Sequence, residues 1–301
     1  MTNEMREDLL DANGLRFRAL RWDGGIPPAL FVHATSFCAD GWRPVVAEFR
    51  RASAMPLRSV AIDQRGHGGS DAPTDPAAYQ WTQVADDVAA IASKLMAEDP
   101  TRGPVIGVGH SSGATALLAA AGMHPERFAA LVAIEPVLWD APADRGTDSF
   151  AGSTFLASAA RRRRDRFASR EQARERLRAK PPFAHFDPVA FDAVSSGLFA
   201  ADGDGVRLIC SGEREAACYE GAAALALWPL VAQIRAPLLL VLGDRGAVAP
   251  ALRDRLVAAL PSVQVVTIAR ASHFVALEHS REVGAVIARF LAAVRVAGVS
   301  G

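Results

Sequence analysis

The pentapeptide G-H-S-S-G at residues 109–113 decides the interpretation of this chain. A short apolar run, residues 104–108, precedes it, and an alanine-rich run, residues 114–121, follows it. The first run has the character of a buried strand and the second that of a helix, so Ser111 is predicted to lie at a sharp strand-to-helix turn. The two glycines let strand and helix approach closely, and this pattern at such a turn is typical of a nucleophilic serine.

Apolar, strand-like runs alternate with longer helical patterns in two regions of the chain. This alternation indicates the α/β class, with a mostly parallel twisted sheet and helices on both faces. The predicted strands are residues 15–22, 29–33, 59–63, 105–108, 131–135, 238–242 and 263–268. The predicted helices are residues 81–97, 112–123, 250–260 and 281–294.

Residues 140–233 lose the alternation and become helical and polar. We therefore predict a core domain of residues 1–139 and 234–301, with residues 140–233 inserted as a helical cap. Ligands of open α/β folds bind at the carboxyl edge of the sheet. The cap is therefore expected to form the roof over a substrate.

The overall composition indicates a globular protein without a strong electrostatic partner. The 33 basic residues balance the 33 acidic ones, and half of all residues are hydrophobic. Four consecutive arginines, residues 161–164, lie in the predicted cap, but no aromatic residues are interleaved with them. A solvated amphipathic helix is favoured over a nucleic-acid site. The alternative that one or two of these arginines face inward and receive a substrate carboxylate stays open.

The amino-terminal segment is charged and lacks the apolar core of a signal peptide, and no apolar run is long enough to span a bilayer. Cys38, Cys210 and Cys218 are an odd number without metal-ligand spacing, which fits reduced thiols. We expect a cytoplasmic protein with a small-molecule substrate, no nucleic-acid or membrane partner, and no metal or organic cofactor. The oligomeric state stays open.

A serine hydroxyl needs a base within hydrogen-bond reach, and the base needs a third group to orient it. His273 is the best candidate base, because it follows the last predicted strand and precedes the last predicted helix. This loop is expected at the same edge of the sheet as Ser111.

Four motifs in order make nearly the whole chain resemble the α/β-hydrolase superfamily. They are F-V-H-A-T at residues 31–35, D-Q-R-G-H-G-G-S at 63–70, the pentapeptide at 109–113, and S-H-F at 272–274. The resemblance implies the α/β-hydrolase fold, with Ser111 as nucleophile and His273 as base. It also implies that the backbone N–H groups of Thr35 and Ser112 form an oxyanion hole.

Two further pairs are interpreted as structural. His33 and His110 resemble superfamily positions that hold loops in place. Asp63 and Arg65 are expected to tie the turn at residues 63–70 by a salt bridge.

The catalytic acid departs from the usual pattern. Most members of the superfamily end the seventh strand in G-x-x-D, whereas residues 243–246 read G-D-R-G. The predicted strand at 131–135 ends instead in a glutamate, and a subset of the superfamily carries the acid after the sixth strand. Glu135 is therefore favoured as the group that orients His273, with Asp244 as the competing acid.

The serine also limits the chemistry. Dehalogenases and epoxide hydrolases of this fold use an aspartate nucleophile, whereas Ser111 points to acyl transfer. We expect a serine hydrolase that cleaves a small, largely apolar carboxylic ester or related acyl compound. Hydrolysis of a C–C bond in a diketone-type substrate, and a non-catalytic small-molecule binding protein of the same fold, are the alternatives.

Overall fold

The computed structural model of the protein describes residues 4–54, 57–98, 103–139 and 148–294. Within these ranges the strands are β1 (Met5–Ala12), β2 (Leu15–Trp22), β3 (Gly25–Val32), β4 (Leu57–Ile62), β5 (Val105–His110), β6 (Phe128–Ile134), β7 (Arg166–Phe167), β8 (Phe199–Asp202), β9 (Gly205–Leu208), β10 (Leu238–Arg245) and β11 (Val263–Ser272). The helices are α1 (Arg43–Ala52), α2 (Trp81–Ala97), α3 (Ser112–Met123), α4 (Asp148–Arg161), α5 (Arg170–Arg178), α6 (Pro188–Ser196), α7 (Gly212–Glu220), α8 (Leu227–Val231), α9 (Pro250–Ala259), α10 (Val275–Glu278) and α11 (Ser280–Ala293).

Eight of the described strands form one sheet in the order β1-β2-β4-β3-β5-β6-β10-β11. β2 is antiparallel to both of its neighbours, and every pair from β4 to β11 is parallel. The mostly parallel sheet predicted from the sequence is therefore confirmed. Its parallel strands end together at one edge, where the loops after β3, β5, β6, β10 and β11 meet.

The near-continuous apolar runs of the central strands are explained by burial on both faces of the sheet. Leu30 and Val32 of β3 pack into the core beneath α2 and α3, whereas Phe31 packs beneath α1 and α11. β10 follows the same rule, with Leu240 on the first face and Val241 on the second. Successive side chains of a strand point to opposite faces, so a strand covered on both sides needs an apolar residue at every position.

β1 and α1 have no counterpart among the predicted elements. β1 carries charged residues where a half-buried strand usually carries apolar ones, so its alternation is weak. Its hairpin turn with β2 is formed by Asn13 and Gly14, whose φ angles are 47° and 72°. Positive φ at both central residues is typical of a two-residue hairpin turn, and asparagine followed by glycine is the usual sequence for it.

Residues 148–233 contain α4 to α8, in line with the predicted helical character, but also a three-stranded antiparallel sheet in the order β7-β9-β8. These strands are two to four residues long, too short to give a clear sequence period. The boundary predicted at residue 140, and the predicted core residues 1–3 and 295–301, lie outside the described residues.

The four consecutive arginines do not form one solvated helix, which corrects the prediction. α4 ends at Arg161, and the next three arginines lie in the connection to β7. Arg161 bonds to Glu213 and Glu220 of α7 at 3.0 and 2.7 Å, and Arg163 forms an ion pair with the buried Glu215 of the same helix. These charges therefore fasten α4 and its following loop to α7.

The predicted salt bridge between Asp63 and Arg65 is also wrong. Asp63 is fully buried and pairs with Arg18 at 3.1 Å. Arg65 donates two hydrogen bonds, of 2.6 and 2.7 Å, to the buried carboxylate of Asp87 in α2. Both charges thus hold the turn, but each through a partner far away in the sequence.

Candidate active site

Ser111 lies between the end of β5 and the start of α3, as predicted. Its φ and ψ are 55° and −122°, a strained conformation for a residue with a side chain. Its N–H donates to the carbonyl of Ile134 at 2.9 Å, so the turn is an extension of the pairing between β5 and β6. A Cβ on Gly109 would lie 2.6 Å from Ala114 Cα, and one on Gly113 would lie 2.4 Å from a backbone oxygen of β3. Both positions therefore require glycine.

The structure brings His273 to Ser111. His273 immediately follows β11, and its Nε2 lies 2.8 Å from Ser111 Oγ. The loop is held at two points. His110 Nε2–H donates to the His273 carbonyl at 2.8 Å, and Glu278 accepts bonds of 2.7 Å from both the N–H and the hydroxyl of Ser272. These bonds fix the position of the loop that carries the imidazole.

Glu135 is brought to the other side of the imidazole. It comes directly after β6, with a φ of 45°, and its side chain is fully buried. Its Oε2 lies 3.3 Å from His273 Nδ1 and accepts the Ala247 N–H at 2.8 Å, and its Oε1 accepts the Gly243 N–H at 2.9 Å. A carboxylate at Nδ1 favours the tautomer that carries its proton there, which leaves Nε2 free to accept the Ser111 proton.

Gly246 makes room for this carboxylate. A Cβ at this position would lie 1.9 Å from Glu135 Oε1, so any larger side chain collides with the acid. Gly246 is the position at which most of the superfamily carries the aspartate. The glycine at position 246 therefore leaves the space that the carboxylate of Glu135 occupies.

Adding a methyl group at this position tests that arrangement. Gly246→Ala is expected to lower the free energy of unfolding by about 1–3 kcal/mol, the usual cost of overpacking. In a Glu135→Ala background the same change should cost less than about 1 kcal/mol, because the colliding carboxylate is gone. Urea denaturation of the four proteins of this double-mutant cycle measures the coupling. Equal costs in both backgrounds would show that the two residues do not share this space.

Asp244, the competing acid, is directed elsewhere. Its side chain is partly exposed, and its Oδ1 accepts the Ala271 N–H at 3.0 Å. Hydrogen bonds from the backbone of Arg270 and Ala271 and the charge of Arg245 hold the pKa of this carboxyl below its usual value. His273 Nδ1–H donates its hydrogen bond to Glu135 and not to Asp244, which is the geometry expected if Glu135 is the acid.

The predicted oxyanion donors lie side by side, with one unexpected contact. The Thr35 N–H donates to the side-chain Oγ of Ser112 at 2.8 Å, and Thr35 Oγ1 lies 3.0 Å from the same oxygen. The Ser112 N–H is in the first turn of α3, where a helix offers its N–H groups no internal acceptor. The strained residue of this loop is Ser36, with a φ of 71°.

Two buried histidines hold the loop that carries Thr35. His33 donates from Nδ1 to the Ala34 carbonyl at 2.7 Å and accepts the Gln64 N–H at Nε2. His67 accepts the Ser36 N–H at 3.0 Å. Burial lowers the pKa of His33 to about 4 and that of His67 to about 3, and it lowers the pKa of His110 to about 3. All three are therefore neutral near pH 7, which fits the structural role expected of His33 and His110.

These histidines predict a pH dependence of stability. Below about pH 6.5 each one takes up a proton in the unfolded chain but not in the folded protein. The free energy of unfolding should therefore fall as the pH is lowered from about 6.5 towards 4, by about 1.4 kcal/mol per pH unit for each histidine. Urea denaturation at several pH values checks this, and His67→Asn should flatten the slope. A stability that stays constant over this interval would contradict it.

Residues 148–233 contribute two features that the sequence did not reveal. Phe183 and Phe186 pack with Phe37 and Phe274 at ring-centroid distances of 5.2 to 6.0 Å, and Phe274 also contacts the His273 ring. This forms an apolar wall beside the imidazole.

The second feature is Tyr219 on α7, whose hydroxyl bonds to Glu215 at 3.3 Å. Burial and the Glu215 carboxylate raise the pKa of this phenol, and the neighbouring Ser36 hydroxyl acts in the opposite direction. Tyr219 thus lies beside the loop that carries Thr35. Tyr219, Phe183 and Phe186 belong to no sequence motif, because their positions depend on how α5 to α7 fold back over the sheet.

In the described part of the chain, no group of three or more His, Cys, Asp or Glu side chains is placed to hold a metal ion. Over the same residues, no helix has both the length and the apolar character needed to cross a membrane.

Comparison with known proteins matches this architecture. The sequence profile described as "Alpha/beta hydrolase family" matches residues 29–286. Epoxide hydrolase A of Mycobacterium tuberculosis is 31% identical over 129 residues, which are 42% of this chain and 38% of that protein. The 2-(acetamidomethylene)succinate hydrolase of Mesorhizobium japonicum is 33% identical over 116 residues, which are 38% of each protein. The chain thus matches less than two fifths of the length of these curated relatives.

A solved structure of E-2-(acetamidomethylene)succinate hydrolase resembles the chain over a greater length. It superposes with a TM-score of 0.79 at 22% sequence identity and covers 96% of this chain and 100% of its own. The likeness confirms the fold expected from the four sequence motifs.

Proposed function

Because the chain belongs to the alpha/beta hydrolase family, we propose that this hydrolase is a serine enzyme that cleaves a small, largely apolar carboxylic ester or related acyl compound. The observation that carries the proposal is the continuous hydrogen-bonded row from Ser111 through His273 to Glu135, with 2.8 Å at the serine and 3.3 Å at the acid. His273 can accept the serine proton, and Glu135 can orient the imidazole and stabilise it once it is protonated. These are the two functions that activation of a serine requires.

In the proposed reaction, Ser111 Oγ attacks the acyl carbon while His273 Nε2 takes the serine proton. Glu135 stabilises the imidazolium through Nδ1. The carbonyl oxygen becomes an oxyanion that accepts hydrogen bonds from the N–H groups of Thr35 and Ser112. When the tetrahedral species collapses, the bond to the leaving group breaks and His273 returns the proton to it. Water then attacks the acyl carbon of the acyl-enzyme while His273 takes a proton from it. The bond to Ser111 Oγ breaks, His273 returns the proton to Ser111, and the carboxylic acid is released.

The apolar wall supports a substrate with a hydrocarbon portion. Phe274 contacts the His273 ring, and the buried Phe37 and Phe186 pack against Phe274. We propose that residues 140–233 form the cap over this edge, and that residues 1–139 and 234–301 form the core domain. The three cysteines are unpaired and buried, in keeping with the proposed location in the cytoplasm.

A second candidate is an N-acyl substrate. The 2-(acetamidomethylene)succinate hydrolase appears in both comparisons, and its named substrate carries an acetamide group. The same row of residues can expel an amine in place of an alcohol. The epoxide hydrolase relatives are a poorer guide, because epoxide hydrolases of this fold attack with an aspartate where this chain has Ser111. Hydrolysis of a C–C bond gains no support from Arg161 or Arg163, which are paired with glutamates.

Release of p-nitrophenol from esters of increasing chain length, acetate to octanoate, tests the proposal. Hydrolysis of 2-(acetamidomethylene)succinate is assayed in parallel. Saturable turnover that varies with chain length would support the ester class and report the depth of the acyl pocket. Turnover of the amide alone would move the assignment to the second candidate. No turnover of either by folded protein would count against acyl hydrolysis.

A further inference from the structure

The side chain of Ser112 occupies one donor of the proposed oxyanion hole. Its Oγ lies 2.8 Å from the Thr35 nitrogen, within the 2.7–3.1 Å range at which an oxyanion-hole donor should meet the substrate oxygen. A second bond, from Thr35 Oγ1 at 3.0 Å, holds the same oxygen in place. Ser112 is 6% exposed, so the contact is shielded from solvent.

We propose that the Ser112 hydroxyl is a resident ligand of the oxyanion hole, which the substrate oxygen displaces as the oxyanion forms. This inference rests on the proposed function and assigns to the side chain of Ser112 a role separate from that of its backbone N–H. The hydroxyl leaves by rotation about χ1 to another staggered position, about 120° away. No covalent change is needed, and the Ser112 N–H stays where the helix holds it.

The energetic consequence follows from which states contain the contact. The free enzyme is stabilised by the bond between Ser112 Oγ and the Thr35 N–H, whereas the transition state, with its oxyanion on Thr35, is not. A bond present only in the starting state raises the barrier measured from free enzyme and substrate. The hydroxyl therefore lowers kcat/KM.

Displacing the hydroxyl costs the same free energy for every acceptor that enters the hole. A neutral ester carbonyl is a weaker hydrogen-bond acceptor than an oxyanion, since bonds to charged groups are about twice as strong. A ligand that only places a neutral carbonyl in the site competes poorly with the hydroxyl, whereas a tetrahedral oxyanion competes well. A neutral carbonyl ligand is therefore expected to leave the hydroxyl in place, whereas the transition state displaces it.

Ser112→Ala is the direct test, because alanine removes the hydroxyl and keeps the Cβ and the backbone N–H. We expect kcat/KM for a p-nitrophenyl ester to rise about threefold to tenfold, which corresponds to a net hydrogen bond of about 0.7–1.4 kcal/mol. The rate of covalent labelling by a fluorophosphonate should rise by a similar factor. Thr35→Val, which keeps the N–H and removes Oγ1, should raise both rates by less.

Ser53→Ala is the matched control, since Ser53 makes its side-chain bond to the Phe49 carbonyl at the end of α1 and should leave both rates unchanged. Labelling of the wild type with a change of less than twofold in Ser112→Ala, or with a decrease, overturns the inference alone. A decrease would mean that the hydroxyl assists the reaction. Failure of the folded wild type to react with ester or fluorophosphonate would overturn the proposed function and this inference together.

Discussion

Alanine at position 111 is expected to lower kcat for ester hydrolysis by about 10⁵-fold or more, the scale on which serine hydrolases lose activity without their nucleophile. Without Oγ no acyl-enzyme forms, and His273 has no serine proton to take. The residual rate over water then comes from substrate binding and the oxyanion donors. Release of p-nitrophenol at matched concentrations of folded protein measures the loss.

The result is specific to the position if two comparisons agree. His273→Ala should lose activity to a similar degree, and the double variant should be no worse than Ser111→Ala, because the two residues act as a unit. Ser53→Ala makes the same chemical change outside the site and should retain activity. Losses that multiply in the double variant would show that Ser111 and His273 act independently.

Loss of fold does not explain such an outcome. Alanine keeps the Cβ, so the strain at φ 55° is unchanged and the urea midpoint should stay near that of the wild type. Ser111→Gly relieves this strain and should be more stable than Ser111→Ala by about 1 kcal/mol. The two variants should nevertheless be equally inactive.

The second large effect is expected at the acid. Glu135→Gln should lower kcat by about 10³ to 10⁴-fold, the scale seen when the acid of a triad becomes an amide. A glutamine has one acceptor oxygen in place of two, so either the Gly243 or the Ala247 N–H loses its partner. An amide nitrogen directed at His273 Nδ1 would favour the tautomer protonated at Nε2, which cannot accept the Ser111 proton. Steady-state kinetics with the same ester checks this.

Asp244→Asn is the matched control for the acid. It makes the same carboxylate-to-amide change on a side chain that bonds to the Ala271 N–H and not to His273. Activity within a few-fold of the wild type is expected. A large loss in Asp244→Asn with little loss in Glu135→Gln would reassign the acid to the loop after β10.

The elements that the sequence predicted best are those with a strong period or a strong turn. β2, α2 and α3 coincide with the predicted ranges, because each combines an apolar pattern with clear ends. β6 starts three residues earlier than predicted and ends one earlier, so Glu135 lies just beyond the strand. β1 was hidden by its charged side chains, although the Asn13-Gly14 pair that follows it is a recognisable hairpin signal.

In the candidate site, too, residues with a local sequence signal were predicted and contacts without one were not. Ser111, His273, Glu135 and Thr35 carry motif or strand-end signals, so their positions could be predicted. The collision between a side chain at Gly246 and the Glu135 carboxylate depends on three-dimensional placement and has no local signal. The ion pairs of Asp63 and Arg65 were mispredicted for the same reason, because nearness in the sequence did not identify their partners.

Activation of Ser111 as a nucleophile can be measured by intact-protein mass spectrometry after exposure to a fluorophosphonate. We expect one phosphonyl adduct per chain, mapped by peptide analysis to Ser111, and no adduct on folded Ser111→Ala. Unmodified wild type under conditions in which it is folded would favour a non-catalytic binding protein of the same fold. An adduct that persists after Ser111→Ala would show that another residue is the reactive nucleophile.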